Sequence, residues 1–318
     1  MRFLGAHVSV AGGLPRAFER GGELGCTAMQ VFVKNPSQWR GRAVDDEEVE
    51  RFHAALAGWA GAPLVAHSAY LINLAAPDAE ILARSRAGLA DELDRCVRLG
   101  VGGLVVHPGA HLGAGEDEGV RRVAASLDAV LAERPAGGPR VLLETTAGQG
   151  STLGWRLEQI ESVIAASRHP ESLAVCLDTC HLLAAGYPVD TEEGVDAVVT
   201  EAVRRFGRAR LACVHLNDSR HPRGSRRDRH ANIGEGMIGR AAFARIVRTT
   251  ELADVPLIVE TPDDDGKGHA RDIALLRALA TGSVSGSPDR KASGKVTRKA
   301  SVKATTKGSR KMSERAPR

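Results

Sequence analysis

The sequence predicts an α/β fold: a (β/α)8 TIM barrel over residues 1–280, followed by a disordered, basic C-terminal tail over residues 281–318. Three observations carry this expectation. Eight short apolar runs recur along the first 260 residues. Segments of helical period separate most of them, and the runs start roughly 25–45 residues apart, the length of a strand–helix unit. Most of the runs also end abruptly in His, Asp or Glu, as barrel strands do where they reach a polar rim.

The runs occupy residues 3–8, 28–33, 64–67, 103–107, 141–144, 173–177, 211–216 and 256–260. Their Val, Ile and Leu content suits strands covered on both faces. The clearest helix between them is Ala79–Leu99, where Leu82, Leu89, Leu93, Cys96 and Val97 form one stripe and Gly100 ends the pattern. Residues 157–167 and 241–249 repeat that period. Alternating strands and helices argue for a parallel sheet, and eight strands close a barrel. An open doubly wound sheet would want a glycine-rich phosphate turn after its first strand. Ala11-Gly12-Gly13 follows that strand, but there is no GxGxxG and no acidic ribose partner, so no nucleotide cofactor is expected.

Composition narrows the class. Aromatic residues make up only 3% of the chain, so the core must rest on Ala, Val, Leu and Ile. No window approaches the about 20 consecutive apolar residues of a membrane span. The first residues turn polar too soon for a signal peptide, and a cytoplasmic protein is expected. Cys26, Cys96, Cys176, Cys180 and Cys213 are odd in number and scattered, and read as reduced core thiols. The net charge of +4 hides an asymmetry, because residues 281–318 carry +9 and the first 280 carry −5. Six lysines in that tail stand four residues apart, at 291, 295, 299, 303, 307 and 311. Such a tail reads either as an inert solvated extension or as one that tethers the chain to a polyanion such as DNA.

The polar strand ends form the functional signal. His67, His107, Glu144, Asp178 with His181, His215 and Glu260 stand at or just past the ends of six runs, and Asp228 and His230 follow in the loop after the seventh run. In a parallel barrel all of these meet at one face. Four carboxylates crowded at an apolar barrel mouth would repel one another and lose hydration. Divalent cations remove both problems, and a His and carboxylate set without thiolate suits Zn²⁺ or Mn²⁺. Nine such residues are too many for one ion and suit a cluster of two or three with a bridging carboxylate. A metal-dependent sugar isomerase or epimerase would also gather His, Glu and Asp at strand ends. It usually needs fewer ligands, and Asp228-x-His230 with His181 argues against it. A catalytically silent DNA-binding protein relying on the tail is a further alternative, against which the full ligand set stands.

These residues carry a resemblance. Residues 1–280 resemble endonuclease IV, the family of three-zinc apurinic/apyrimidinic endonucleases of base-excision repair. The matching stretches include Gly5-Ala6-His7-Val8-Ser9, Lys34-Asn35-Pro36-Ser37-Gln38-Trp39, His107-Pro108-Gly109, Asp178-Thr179-Cys180-His181, His215-Leu216-Asn217-Asp218 and Asp228-Arg229-His230. The resemblance implies three Zn²⁺ per chain, with Mn²⁺ an option at one position. One ion would be held by His67, His107 and bridging Glu144. A second would be held by Glu144, Asp178, His215 and Glu260, and the third by His181, Asp228 and His230. It further implies that a hydroxide shared by two ions cuts the phosphodiester 5′ to an abasic site in duplex DNA. The products would be a 3′-hydroxyl and a 5′-deoxyribose phosphate, and the same site would trim blocked 3′ ends. A monomer acting on nucleoid DNA is expected. Tyr70 and Leu71 match a loop that enters the duplex. In the second such loop Ser37 stands where the resemblance implies arginine, so that Trp39, Arg40 or neither compensates. Asn35 and Gln38 are expected at phosphate or sugar, and His7 at DNA or behind a ligand.

Overall fold

The computed structural model describes residues 2–59, 62–135 and 137–284. The basic tail from 285 onward, and with it the lysine series, lies outside the described residues. In chain order the elements are β1 (Leu4–His7), α1 (Arg16–Glu23), β2 (Ala28–Phe32), α2 (Asp46–Gly58), β3 (Leu64–His67), α3 (Ala79–Leu99), β4 (Gly103–Val106), α4 (Glu116–Leu131) and β5 (Arg140–Glu144). They continue with α5 (Leu157–Ala166), β6 (Leu173–Asp178), α6 (Thr179–Ala185), α7 (Glu192–Phe206), β7 (Leu211–His215), β8 (Asp218–Ser219), β9 (His230–Ala231), α8 (Arg240–Arg248), β10 (Leu257–Val259) and α9 (Gly268–Thr281).

Eight of these strands pair in parallel into a closed barrel, ordered β1-β10-β7-β6-β5-β4-β3-β2. Each of the eight apolar runs supplies one of them. The loop between β7 and α8, expected to be irregular, contains a small antiparallel pair instead, with Asp218 opposite Ala231 and Ser219 opposite His230. The helix expected at Ala79–Leu99 has those bounds. The Asp78 carboxylate accepts the Ile81 N–H at 2.9 Å at its start, and Gly100 closes it in the left-handed region at φ 70°.

Two apolar layers result from the period-two alternation of side chains along a strand. The larger packs helices against the outer faces of the strands and includes Leu64, Ala66, Leu104, Leu143, Val175 and Val214. The smaller fills the barrel itself with Ala28, Val65, Val105, Leu142, Ala174, Cys176, Cys213 and Ile258. Two residues beyond an inward-facing position lies the next inward-facing position. From Val65, Val105, Leu142, Cys176, Cys213 and Ile258 that step reaches His67, His107, Glu144, Asp178, His215 and Glu260. The polar layer is therefore the top storey of the apolar one, at the carboxyl ends of the strands.

Candidate metal centre

Glu144 sits at the middle of this layer and is fully buried. Its Oε2 lies 3.2 Å from His67 Nε2 and 3.0 Å from His107 Nε2. Its Oε1 lies 3.0 Å from His215 Nδ1 and 3.4 Å from His181 Nδ1. His215 Nδ1 is also 3.1 Å from Glu260 Oε2 and 3.9 Å from Asp178 Oδ2. Donor atoms of His67, His107 and Glu144 lie within 4.8 Å of one another, as do those of Glu144, Asp178, His215 and Glu260. Asp178, His181 and His230 form a third such set. Asp228 joins it, with Oδ2 3.1 Å from His181 Nε2 and Oδ1 3.3 Å from His230 Nε2. All nine expected ligands are thus brought together, in three overlapping groups.

Local structure explains how His181 reaches the centre from beyond its strand. Asp178 ends β6 and caps α6, accepting the His181 N–H at 2.7 Å. That short helix turns the imidazole back over the barrel mouth, where Nδ1 lies 2.8 Å from the Thr145 carbonyl. The β8–β9 pair does the same for Asp228 and His230, folding the loop after β7 back across the rim.

The donor set fits cations on a test internal to the structure. His67 Nδ1 lies 2.8 Å from the Ser68 carbonyl, His181 Nδ1 2.8 Å from the Thr145 carbonyl and His230 Nδ1 3.1 Å from the Glu260 carbonyl. A carbonyl only accepts, so each Nδ1 carries the proton and each neutral Nε2 presents a lone pair. Those lone pairs face carboxylate oxygens of Glu144 and Asp228. Lone pairs facing at such distances repel unless a proton or a metal ion lies between them. Among the described residues His230 Nε2 is buried and makes no hydrogen bond, its Asp228 contact being one of facing acceptors. Without an ion, burial disfavours charge on His67 and His181, yet the neighbouring carboxylates favour a proton there and raise both above the ordinary histidine value. Burial pushes the Glu144 and Glu260 carboxyls up, yet the histidines around them hold both well below the usual carboxylate range. Burial likewise disfavours charge on His181 and His215, yet the surrounding carboxylates raise both well above the ordinary histidine value.

Two residues that sequence reasoning did not assign complete the layer. Gln30 Nε2 donates to Glu260 Oε1 at 2.6 Å, while its Oε1 lies 2.8 Å from His215 Nε2. Asn217 Nδ2 donates to Asp178 Oδ2 at 2.6 Å, and its Oδ1 accepts the Glu260 N–H at 2.8 Å. Gln30 was detectable: it interrupts an apolar run two residues beyond Ala28, on the inward-facing side. Asn217 lies past the strand end, where alternation has no hold. His7 lies against this layer, with Nδ1 3.0 Å from Glu260 Oε1 and its ring stacked on His67.

Above the centre opens a cavity of about 890 Å³, lined among others by His107, Asn35, Tyr70, Arg229 and Asp263. Tyr70 is among its lining residues, and it and the adjacent Leu71 are 69% and 36% exposed. Gln38 lines a smaller neighbouring cavity, and Arg40 is exposed. Trp39 lies half-buried, with the Arg84 guanidinium of α3 4.8 Å from its ring. The acidic loop after β10 anchors a helix, since Asp263 accepts the Gly268 N–H at 2.6 Å where α9 begins. All five cysteines are free and buried, as expected.

Fold and donor set together define a barrel built to bind metal ions at its carboxyl-terminal mouth. Residues 18–279 match the model of the xylose isomerase-like TIM barrel family. The chain is 44% identical over 280 residues to the probable endonuclease 4 of Chloroflexus aurantiacus, spanning 88% of this chain and 98% of that protein. It is 45% identical over 281 residues to the probable endonuclease 4 of Geobacter sulfurreducens, spanning 87% and 94%. The crystal structure of endonuclease IV from Thermus thermophilus superposes with a TM-score of 0.78 at 37% identity, over 88% of this chain and 99% of that one. The chain belongs to the endonuclease IV family. A D-tagatose 3-epimerase-like protein shares the fold at a TM-score of 0.65 and 19% identity, a likeness of fold alone.

Proposed function

We propose that this chain is a metal-dependent DNA-repair endonuclease. It hydrolyses the phosphodiester 5′ to an abasic site in duplex DNA, leaving a 3′-hydroxyl and a 5′-deoxyribose phosphate, and trims blocked 3′ ends at the same site. The observation that carries the reading is the convergence of nine His, Asp and Glu side chains beneath one open cavity. Identity of 44% to the probable endonuclease 4 of Chloroflexus aurantiacus supports DNA as the substrate.

His67, His107 and Glu144 would hold one Zn²⁺. Glu144, Asp178, His215 and Glu260 would hold a second, and His181, Asp228 and His230 a third, with Mn²⁺ an alternative at one position. Such cations lower the pKa of water and offset charge that develops on a phosphate and its leaving oxygen. The protein's own groups supply order. The Ser68, Thr145 and Glu260 carbonyls fix three histidine tautomers, and Gln30 and Asn217 hold Glu260 and Asp178 in place. Tyr70 and Leu71 would enter the duplex beside the abasic nucleotide, since apolar side chains unstack bases in this way. Asn35, Gln38, Arg40 and Arg229 would meet the backbone, with Trp39 behind them. The enzyme would work as a monomer on nucleoid DNA in the cytoplasm. Among the described residues no helix is long and apolar enough to cross a membrane.

The test is incubation of metal-loaded protein with a duplex bearing one abasic site, with and without chelator, beside a Glu144→Gln variant. Cleavage that leaves a 3′-hydroxyl and is lost in both controls is expected. Absence of cleavage would sink the enzyme, and an unsaturated 3′ aldehyde product would sink the hydrolytic route.

A further inference from the structure

Two rim loops carry most of the residues proposed to meet DNA: 35–40 and 68–72. They follow different strands, yet their backbones touch, the Tyr70 N–H donating to the Pro36 carbonyl at 3.2 Å. Beneath them lies Lys34, whose side chain is 2% exposed and whose Nζ donates to the Trp39 carbonyl at 2.9 Å. The same Nζ is 3.2 Å from Glu92 Oε1. Glu92 projects from α3, fully covered, and accepts the Ala69 N–H at 3.0 Å and 3.3 Å through its two oxygens. The cation therefore holds the first loop, the anion holds the second, and each holds the other. Asp91 Oδ2 adds a weaker contact to Nζ at 3.5 Å, and itself accepts from Arg95 Nε at 3.0 Å. The first loop closes tightly over the lysine, because a Cβ at Gly41 would lie 2.8 Å from Lys34 Cβ.

Stability is a poor reason for such a pair. Burial pushes the Glu92 carboxyl above its ordinary value in spite of Lys34. Apolar residues of similar volume commonly serve a barrel at least as well as a buried ion pair. They would not, however, donate to the Trp39 carbonyl or accept the Ala69 N–H. What the pair adds is a fixed relation between two loops.

We propose that Lys34 and Glu92 are positioning residues that lock both rim loops in one relative arrangement before DNA arrives, so that Tyr70 and Leu71 meet the duplex already ordered. The loop coupling stands on geometry, and the substrate rests on the endonuclease reading above. Preordered contacts spare the entropy of arranging loops at the moment of binding, so loss of the lock belongs in KM.

The test compares wild type with Lys34→Met, Glu92→Gln and the double variant Lys34→Met/Glu92→Leu. The double variant leaves no unpaired buried charge and keeps the test open if a single variant fails to fold. Hydrogen exchange is expected to quicken about tenfold in both 35–41 and 68–74, with the barrel strands unchanged. With an abasic duplex, KM is expected to rise about tenfold while kcat at saturation stays within about threefold. Hydrolysis of bis(4-nitrophenyl) phosphate, which needs no loop, stays at the wild-type rate. Lys34→Arg, which keeps charge and donors, recovers part of the KM. Faster exchange in one loop alone, or throughout the barrel, would overturn the lock. So would equal losses on the duplex and the small diester. A wild-type protein inert on the abasic duplex would overturn the endonuclease reading and the substrate half of this proposal, while the exchange experiment decides the coupling independently.

Discussion

The Asp178 carboxylate accepts the backbone N–H of His181 at 2.7 Å, so one side chain both starts helix α6 and faces the metal centre. The two roles separate by substitution. Asparagine keeps a capping oxygen and loses the charge, whereas alanine loses both. In chelator Asp178→Asn is expected to keep the cap but lose the hydrogen bond from Asn217 Nδ2, and Asp178→Ala to lose about 1 kcal/mol more through the missing cap. Both are expected to bind less zinc, read by elemental analysis of dialysed protein. Equal metal content in Asp178→Asn and wild type would remove Asp178 from the ligand set.

Metal removal should act on the whole barrel. Glu144, Asp178 and His215 are fully buried at its mouth, and an ion bound there only in the folded state adds stability by mass action. At a hundredfold excess over its dissociation constant one ion contributes about 2.7 kcal/mol. Calorimetry should show a lower melting temperature after chelation and recovery on adding Zn²⁺. An unchanged melting temperature would mean that no tight ion is bound.

Away from the centre, Asp128 on α4 is a pH-dependent tie to the segment after α5. It accepts from Ser167 Oγ at 2.7 Å, from the Arg168 N–H at 2.8 Å and from Arg168 Nε at 3.0 Å. Burial raises its pKa, and these three donors more than offset that, leaving it below the ordinary aspartate value. A depressed folded pKa gives stability that is complete above the unfolded value of about 3.9 and is lost as pH falls through the lower folded value. Asp128→Asn should cost about 1–3 kcal/mol at neutral pH in denaturant melts, with the difference shrinking below about pH 4. A pH-independent difference would assign the effect to packing.

The tail is testable through salt. Its charge of +9 contrasts with the acidic body. Each phosphate it neutralises would steepen the dependence of log affinity on log salt by about 0.9 for a duplex. Deleting residues 283–318 is expected to weaken DNA affinity and flatten that slope in anisotropy titrations, and to spare turnover at saturating substrate. Identical slopes with and without the tail would leave it without a role in DNA binding.

Much of the fold was legible because barrel strands and amphipathic helices write their periods into the chain. Ala79–Leu99 shows its stripe and its Gly100 stop within one contiguous segment, so its bounds were readable there, while the Asp78 cap at its start came only with the structure. The ligand types were legible for a related reason. A carboxylate or histidine that ends an apolar strand has few structural uses, and the shared face of a parallel barrel gathers such ends. The Gln30 contact with His215, across 185 residues, left no local trace beyond one polar residue in an apolar run. The β8–β9 pair was missed because two-residue strands are too short for alternation to show.

By itself the sequence determined the alternation of strand and helix, the chemistry of the rim and the charge contrast between body and tail. All of these follow from local period and residue type. The tertiary structure alone decided which oxygen faces which nitrogen. Closing the barrel brings Glu144 to four histidines at once, lets three backbone carbonyls set the tautomers of His67, His181 and His230, and sets Lys34 between the Trp39 carbonyl and Glu92. The physical reason is that hydrogen bonding and electrostatics act over a few ångströms of space, and distance along the chain does not report them.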